Sequence, residues 1–254
     1  MSPDTSTDRQ SQKRHSEGGP MTGSDAPQPT RRQAAKERRR QQILDSAKKL
    51  FARQGFRAVS IDDIGAGAGI SGPAVYRHFE SKEALLAELL VGISKHLHTG
   101  MSAIVNTHSG QSADKADGTA KRPHADPHPG KGVASGEGAS AVGASPRSAM
   151  EELLAFHVEF AVNEPELIRI QDRDFEALRE SDRKRVRRLQ REYMTGWEDV
   201  LVQVRPDLKG AGARVLVQAV IGMLNSTPYV VRRLESNVIE RHLRKAAHAA
   251  LGLG

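Results

Sequence analysis

Residues 60–86 read SIDDIGAGAGISGPAVYRHFESKEALL, and three serines divide the stretch into helical segments. Ser60 with Asp63 three positions on is a capping-box arrangement, which predicts a short helix whose apolar residues Ile61, Ile64 and Ala68 recur at helical spacing. Gly69 stands where that helix must stop, because a glycine takes the left-handed backbone of a tight helix end without a Cβ clash. Ser71 is placed to cap a third helix, with Pro73 in its first turn where a missing N–H costs nothing, and that helix carries Ala74 to Phe79. Ser81 then caps a fourth helix. Its stripe is Leu85, Leu86, Leu89, Leu90, Ile93 and Leu97, and Glu83 in the first turn complements the helix dipole.

Upstream, residues 31–40 (RRQAAKERRR) set six basic side chains against the single Glu37 and form a basic arm. The arm leads into a helix marked by Ile43, Leu44, Ala47, Leu50 and Phe51, with Gly55 at its stop. Residues 1–30 are polar and Gly/Pro-rich. They are expected to be a disordered tail with no secretory leader, and Met21 is a candidate alternative start. Residues 107–147 lack large apolar side chains and are expected to be a low-complexity linker. Helical spacing resumes with Met150, Leu153, Leu154 and Val158. Pro165 starts a helix carrying Leu167, Ile168 and Phe175, Ser181 opens a strongly basic one, 211–234 is the most apolar segment, and a last helix carries Leu243, Ala247 and Leu251. With no alternating strand pattern, the expected fold is all-α with eight or nine helices. Its divisions are a tail (1–30), a three-helix reading domain (31–80), a connecting fourth helix (81–106), the linker (107–147) and a helical carboxy-terminal domain (148–254).

The chain has 254 residues, a formal net charge of +7 and no cysteine. Disulfides, thiolate zinc sites and cysteine nucleophiles are therefore excluded, which fits a reducing compartment, and the cytoplasm is the expected location. No run reaches the roughly 18 apolar residues of a membrane span. The positive balance points to a polyanionic partner. No nucleophile–base pair, paired carboxylates or metal-ligand spacing stands out, so neither catalysis nor a cofactor is expected; His124 and His128 fall in the linker without acidic or thiolate support in a fixed geometry. The GAGAG run is not a dinucleotide loop, because Ile70 occupies the place of the third glycine and no strand precedes it.

The helix, turn and helix of 60–79 have the dimensions of a helix-turn-helix, whose second helix enters the major groove of DNA. At residue level the run resembles the signature of the TetR family of transcriptional regulators. There a Ser or Thr opens the second helix, an Ala-Gly-Ile-Ser turn follows, and Tyr-x-His-Phe-x-x-Lys closes the reader. The likeness covers about fifty residues, from the basic arm into the fourth helix. It implies an amino-terminal helix-turn-helix DNA-binding domain and a carboxy-terminal ligand-binding and dimerisation domain. It also implies a homodimer on palindromic operator DNA, usually a repressor, and a small-molecule effector of unknown identity. Ser60, the Tyr76 hydroxyl, His78 and Lys82 are the DNA contacts it implies, the last three to phosphates. Base reading falls to Ser71, Gly72, Pro73, Ala74 and Arg77, of which Arg77 either forks onto a guanine or holds a phosphate. Arg38 and Arg39 either reach phosphates and the minor groove or begin a solvated helix. Gly65 departs from the alanine more usual there and Gly67 adds a second glycine, together expected to cost the short helix about 1–2 kcal/mol.

In the carboxy-terminal half, Val215, Ala219, Val220, Gly222 and Met223 with Leu243, Ala247 and Leu251 are candidates for a dimer bundle. Phe156, Phe160, Tyr193, Trp197, Asn225 and Tyr229 are candidate ligand contacts, and Pro228 is expected to kink its helix. The run 182–192 is either a salt-bridged solvated helix or a source of arginines (Arg183, Arg187, Arg191) for the phosphates of an acyl-coenzyme A. Ligand binding is expected to act on the reader through the fourth helix. The competing reading of the whole chain is a sequence-indifferent architectural DNA-binding protein.

Overall fold

In a computed structural model of the chain, residues 30–116, 145–208, 210–229 and 234–253 are described, so the expected tail apart from Thr30 and most of the expected linker lie outside the described residues. The elements are α1 (Arg31–Gln54), α2 (Ile61–Gly67), α3 (Gly72–Val75), α4 (Lys82–Ala116), α5 (Pro146–Asn163), α6 (Pro165–Asp174), a 3-10 turn (Phe175–Ala177), α7 (Glu180–Val204), α8 (Ala211–Leu224) and α9 (Ser236–Leu251). No strand occurs among the described residues.

Thr30 fixes the start of α1: its hydroxyl accepts the Gln33 N–H while the Gln33 side chain accepts the Thr30 N–H. The basic run 31–40 is therefore the first turns of α1 rather than an arm before it. Two cores follow. In the first, Ile43, Ala47 and Phe51 of α1 meet Ile64, Val75 and Phe79, the α4 residues Leu85, Leu86 and Leu90, and Leu167 and Ile170 of α6. In the second, Met101 and Ile104 of α4 meet Leu153, Leu154 and Val158 of α5, Trp197 and Leu201 of α7, Val217 and Leu224 of α8, and Leu251 of α9. Each such burial contributes about 1.5–3 kcal/mol before ordering costs, and α4 contributes to both cores. Met101 sits so tightly on α7 that a side chain at Gly196 would overlap its sulfur, and Gly100 is covered in the same way by the Phe156 ring.

Several expectations are corrected. The third helix is shorter than its apolar pattern suggests: α3 ends at Val75, and the His78 and Phe79 N–H groups both return to the Val75 carbonyl (2.9 and 3.0 Å), tightening the chain into a turn. Ser71 makes no side-chain cap bond. α4 continues to Ala116, into the stretch read as linker, and α7 begins at Glu180 with Ser181 inside its first turn. Pro228 does not kink α8. The helix has already ended at Leu224 and the chain turns through Asn225–Tyr229, since proline offers no N–H and disfavours helix in the residue before it. Of the candidate dimer residues, Val220, Ala247 and Leu251 are buried within the protomer, whereas Val215 (67% exposed), Ala219 and Gly222 face outward.

Gly65 reverses its expected cost. A Cβ there would lie 2.9 Å from both the Gly72 nitrogen and the Ile70 carbonyl oxygen, because the α2–α3 turn crosses directly over it. Gly65→Ala gains helix propensity but must push backbone aside. We expect it to destabilise the amino-terminal core by about 1–3 kcal/mol, read as a lowered Tm by calorimetry; an unchanged or raised Tm would contradict the close approach.

Candidate nucleic-acid interface and inner cavity

Gly69 at φ 69° turns the chain between α2 and α3 and presents one face of α3 to solvent. Ser71, Pro73, Tyr76 (56% exposed) and Arg77 lie on that face and Ala74 is half-buried at its edge. Gly72, a candidate base reader, is instead buried against Asp62 of α2 and has no access to a groove. Arg38 is exposed on the first turns of α1.

Ser60, Arg39 and Lys82, three other candidate DNA contacts, have internal partners. The Ser60 hydroxyl accepts the Asp63 N–H (3.1 Å) and donates to the Asp63 carboxylate (2.6 Å), which holds that carboxyl below its usual range. Arg39 donates to the Ala68 carbonyl at the end of α2 (3.1 Å). Lys82 donates to the Val59 carbonyl (2.7 Å) with its ammonium 4.6 Å from the Phe56 ring centroid, bolting the start of α4 to the loop before α2. His78 Nδ1 is buried without a hydrogen-bond partner among the described residues. Burial, then the charges of Lys36, Arg39, Arg40 and Arg77, push its pKa down, so a neutral ring stands where a phosphate contact was expected. Those four cations converge beside the reader from α1 and the turn after α3. Arg40 is spent internally, paired with Glu88 and 4.1 Å over the Phe79 ring.

A cavity of about 670 Å³ opens among α4, α5, α6, α7 and α8. Leu97, Phe160, Leu167 and Ile221 give it apolar walls, and its volume suits a small-molecule ligand. Of the six candidate ligand contacts, Phe160, Tyr193 and Asn225 line it. Trp197 is wholly buried in the second core, Phe156 packs on Gly100 and His96, and Tyr229 is 66% exposed with its hydroxyl 3.1 Å from the Asp172 carboxylate.

The residue that sequence reasoning missed is His157. Its Nδ1 lies 2.8 Å from the Tyr193 hydroxyl and its Nε2 3.1 Å from Asn225 Oδ1. The signal was present: position 157 falls on the buried stripe of α5 with Leu153, Leu154, Val158 and Ala161, where a polar residue needs partners. Burial lowers the His157 pKa to about 4, with the Asn225 bond opposing it, so the ring is neutral; burial likewise raises that of Tyr193, which keeps its proton. Arg187, Arg191 and Arg214 also line the cavity, whereas Arg183 is paired outside it with Glu176 and Glu180. Leu167, Ile168 and Gln171 put one side of α6 on the cavity. The same helix grips α1: Lys48 pairs with Glu164 (2.7 Å), Arg173 donates to the Phe51 carbonyl, and Asp174 accepts the Phe56 N–H (3.2 Å).

An unfolded histidine binds a proton near pH 6.5, whereas folded His157 resists until about 4. Between those values the unfolded chain holds more protons, so stability must fall as pH drops through that window, by about 3 kcal/mol in all. Urea unfolding from pH 7 to 4 should show this slope shallower in His157→Gln than in the parent; equal slopes would contradict a buried neutral imidazole.

Among the described residues no group of three or more His, Asp or Glu is placed to hold a metal ion, and no helix is long and apolar enough to cross a membrane. Residues 43–89 match the family model described as bacterial regulatory proteins, tetR family, and residues 143–229 match that of the tetracyclin repressor-like C-terminal domain. The transcriptional repressor KstR2 of Rhodococcus jostii is 42% identical over 66 residues, 26% of this chain and 32% of its own length, so the match spans about a third of that relative. A TetR-family regulator from Bordetella parapertussis superposes with TM-score 0.61 at 21% identity, over 82% of this chain and 93% of that one. AibR, solved in complex with isovaleryl coenzyme A and operator DNA, superposes with TM-score 0.53 at 14% identity, over 82% and 97%. At such identities the structures establish the fold, and the two family models, which together span just over half the residues, account for both the reader and the body behind it. The chain belongs to the TetR family of bacterial regulatory proteins.

Proposed function

We propose that this protein is a ligand-responsive transcriptional repressor that binds a palindromic operator as a homodimer. The observation that carries the proposal is the two-sided use of α6. One side lines the cavity through Leu167, Ile168 and Gln171, and the other holds the end of α1 through Arg173 and Asp174. Filling the cavity therefore works directly against the helix that supports the reader, and α4, shared by both cores, is the second route. In its named relatives KstR2 is a repressor and AibR was solved with both a coenzyme A ester and operator DNA, which supports the same division of labour here.

In the reader, Tyr76 and Arg77, in the turn that ends α3, are the large exposed side chains, with Ser71, Pro73 and Ala74 beside them and Arg38 on the flank. Arg77 supplies either a guanine fork or a phosphate contact. One such unit covers too little of the duplex for tight specific binding, and two-fold pairing sets a second unit one helical turn away. The outward face of α8 suits that pairing. Val215, Ala219 and Gly222 are exposed, and a Cβ added at Gly222 would meet nothing in its own protomer.

Genomic fragments selected on the purified protein should share one palindrome, bound in preference to competitor DNA by orders of magnitude and less tightly as salt rises. On that site Arg77→Ala should weaken binding by about 1–3 kcal/mol in band-shift titrations while leaving Tm unchanged. Indifference to competitor sequence would instead favour an architectural protein. Val215→Glu should convert dimer to monomer in sedimentation without unfolding the protomer; a variant that remains dimeric would place the interface elsewhere.

A further inference from the structure

The cavity is graded from its floor to its mouth. His157 is 1% and Tyr193 5% exposed, while Arg191 and Arg214 are exposed and Arg187 is half-exposed. Of the three arginines, Arg187 already meets Glu176 and Arg214 meets Glu198, but Arg191 makes no ion pair among the described residues. Glu198 also lines the cavity and offsets Arg214, so the rim keeps an excess of positive charge centred on Arg191 and Arg187. Over walls that include Leu97, Phe160 and Ile221, that excess favours a ligand with an acid at one end.

At the floor, proton counting selects a second feature. A neutral imidazole has one N–H and one lone pair, so it donates to one neighbour and accepts from the other. If Nε2 donates to Asn225 Oδ1, then the Tyr193 hydroxyl donates to Nδ1 and the Asn225 amide N–H groups are left over. If the amide is turned, Asn225 donates to Nε2, Nδ1 donates to Tyr193, and the Tyr193 hydroxyl proton is left over. Both residues line the cavity, so either direction leaves a donor in its wall. A purely hydrocarbon ligand end would strand that donor, which is costly in a dry site.

Resting on the sensor reading above, we infer that the effector is an elongated amphipathic anion. Its acid group is held at the mouth by Arg191 with Arg187 and Arg214, its apolar body lies along Leu97 and Ile221, and a carbonyl or hydroxyl oxygen at its inner end accepts from the Tyr193–His157–Asn225 chain. The acid is a carboxylate or a phosphate, and a free acid and its coenzyme A thioester present these two at the same rim.

The test is displacement of the fluorescent apolar anion anilinonaphthalene sulfonate by dodecanoate, its ω-hydroxy derivative, dodecanol and dodecanoyl-coenzyme A. The hydroxy acid should compete at about fivefold lower concentration than dodecanoate, and dodecanol at about tenfold higher. The better competitor of free acid and thioester identifies the source of the anion. Arg191→Gln should erase the preference for acid over alcohol. Asn225→Leu should erase the advantage of the hydroxyl, and Tyr193→Phe carries the same comparison if the leucine variant does not melt cooperatively. Equal competition by acid and alcohol, or no gain from the hydroxyl, overturns the inference while the sensor reading stands. Operator DNA that remains bound with the cavity filled overturns the sensor reading instead.

Discussion

The buried N–H of Phe56 donates to a carboxylate 118 residues away, on Asp174, and the joint between the amino-terminal helices and α6 is built around that bond. Gly55 ends α1 at φ 92° and sends the Phe56 ring back against Phe51, centroids 5.3 Å apart in an edge contact. That turn drives the Phe56 amide into the interior, where an unmet donor costs about 1–3 kcal/mol. The amino-terminal segment supplies no acceptor; the end of α6 does. Its neighbour Arg173 completes the joint by donating to the Phe51 carbonyl, which also accepts the Gly55 N–H (2.9 Å). The end of the first helix is thus held both by its own Gly55 N–H and by side chains from the body that contains the cavity.

Electrostatics near the reader follows the same economy. The stretch RRQAAKERRR looks uniform in sequence, but helical geometry separates its charges by role. Arg38 is left to solvent, Arg39 closes the end of α2, and Arg40 lies over Phe79 and pairs with Glu88 of α4. A guanidinium suits such half-buried positions because its flat face stacks on a ring while its edge donates. The positive field at α3 is therefore partly a by-product of residues that hold the three helices together, and His78 beside it is kept neutral first by burial and then by those charges.

The fold was legible where local chemistry decides it. Ser60 with Asp63, the two stops at Gly55 and Gly69, and Pro165 all mark real helix ends, and the leucine stripe of α4 faces the core it implied. The site was less legible because its outcomes depend on distant neighbours. Nothing near Gly65 in sequence reveals that the Gly72 backbone crosses it, and nothing near Lys82 reveals the Val59 carbonyl. Trp197 and Asn225 look alike as large or polar residues on apolar helices, yet one fills a core and the other borders a void. His157 needed a different question, namely what partners a polar residue on a buried stripe must find.

The fit of Met101 against Gly196 has a mechanical meaning. Because a glycine admits the sulfur so closely, α4 is pinned to α7 there, and a side chain at position 196 would force the two helices apart. From Met101 to the first residue of α4 is roughly 28 Å of rod at helical rise. A tilt of only about 5° about that fulcrum would carry the far end about 2.5 Å at that length. A shift of that size at the start of α4 would pass straight to the α2–α3 unit, whose Ile64, Val75 and Phe79 pack in one core with Leu85, Leu86 and Leu90.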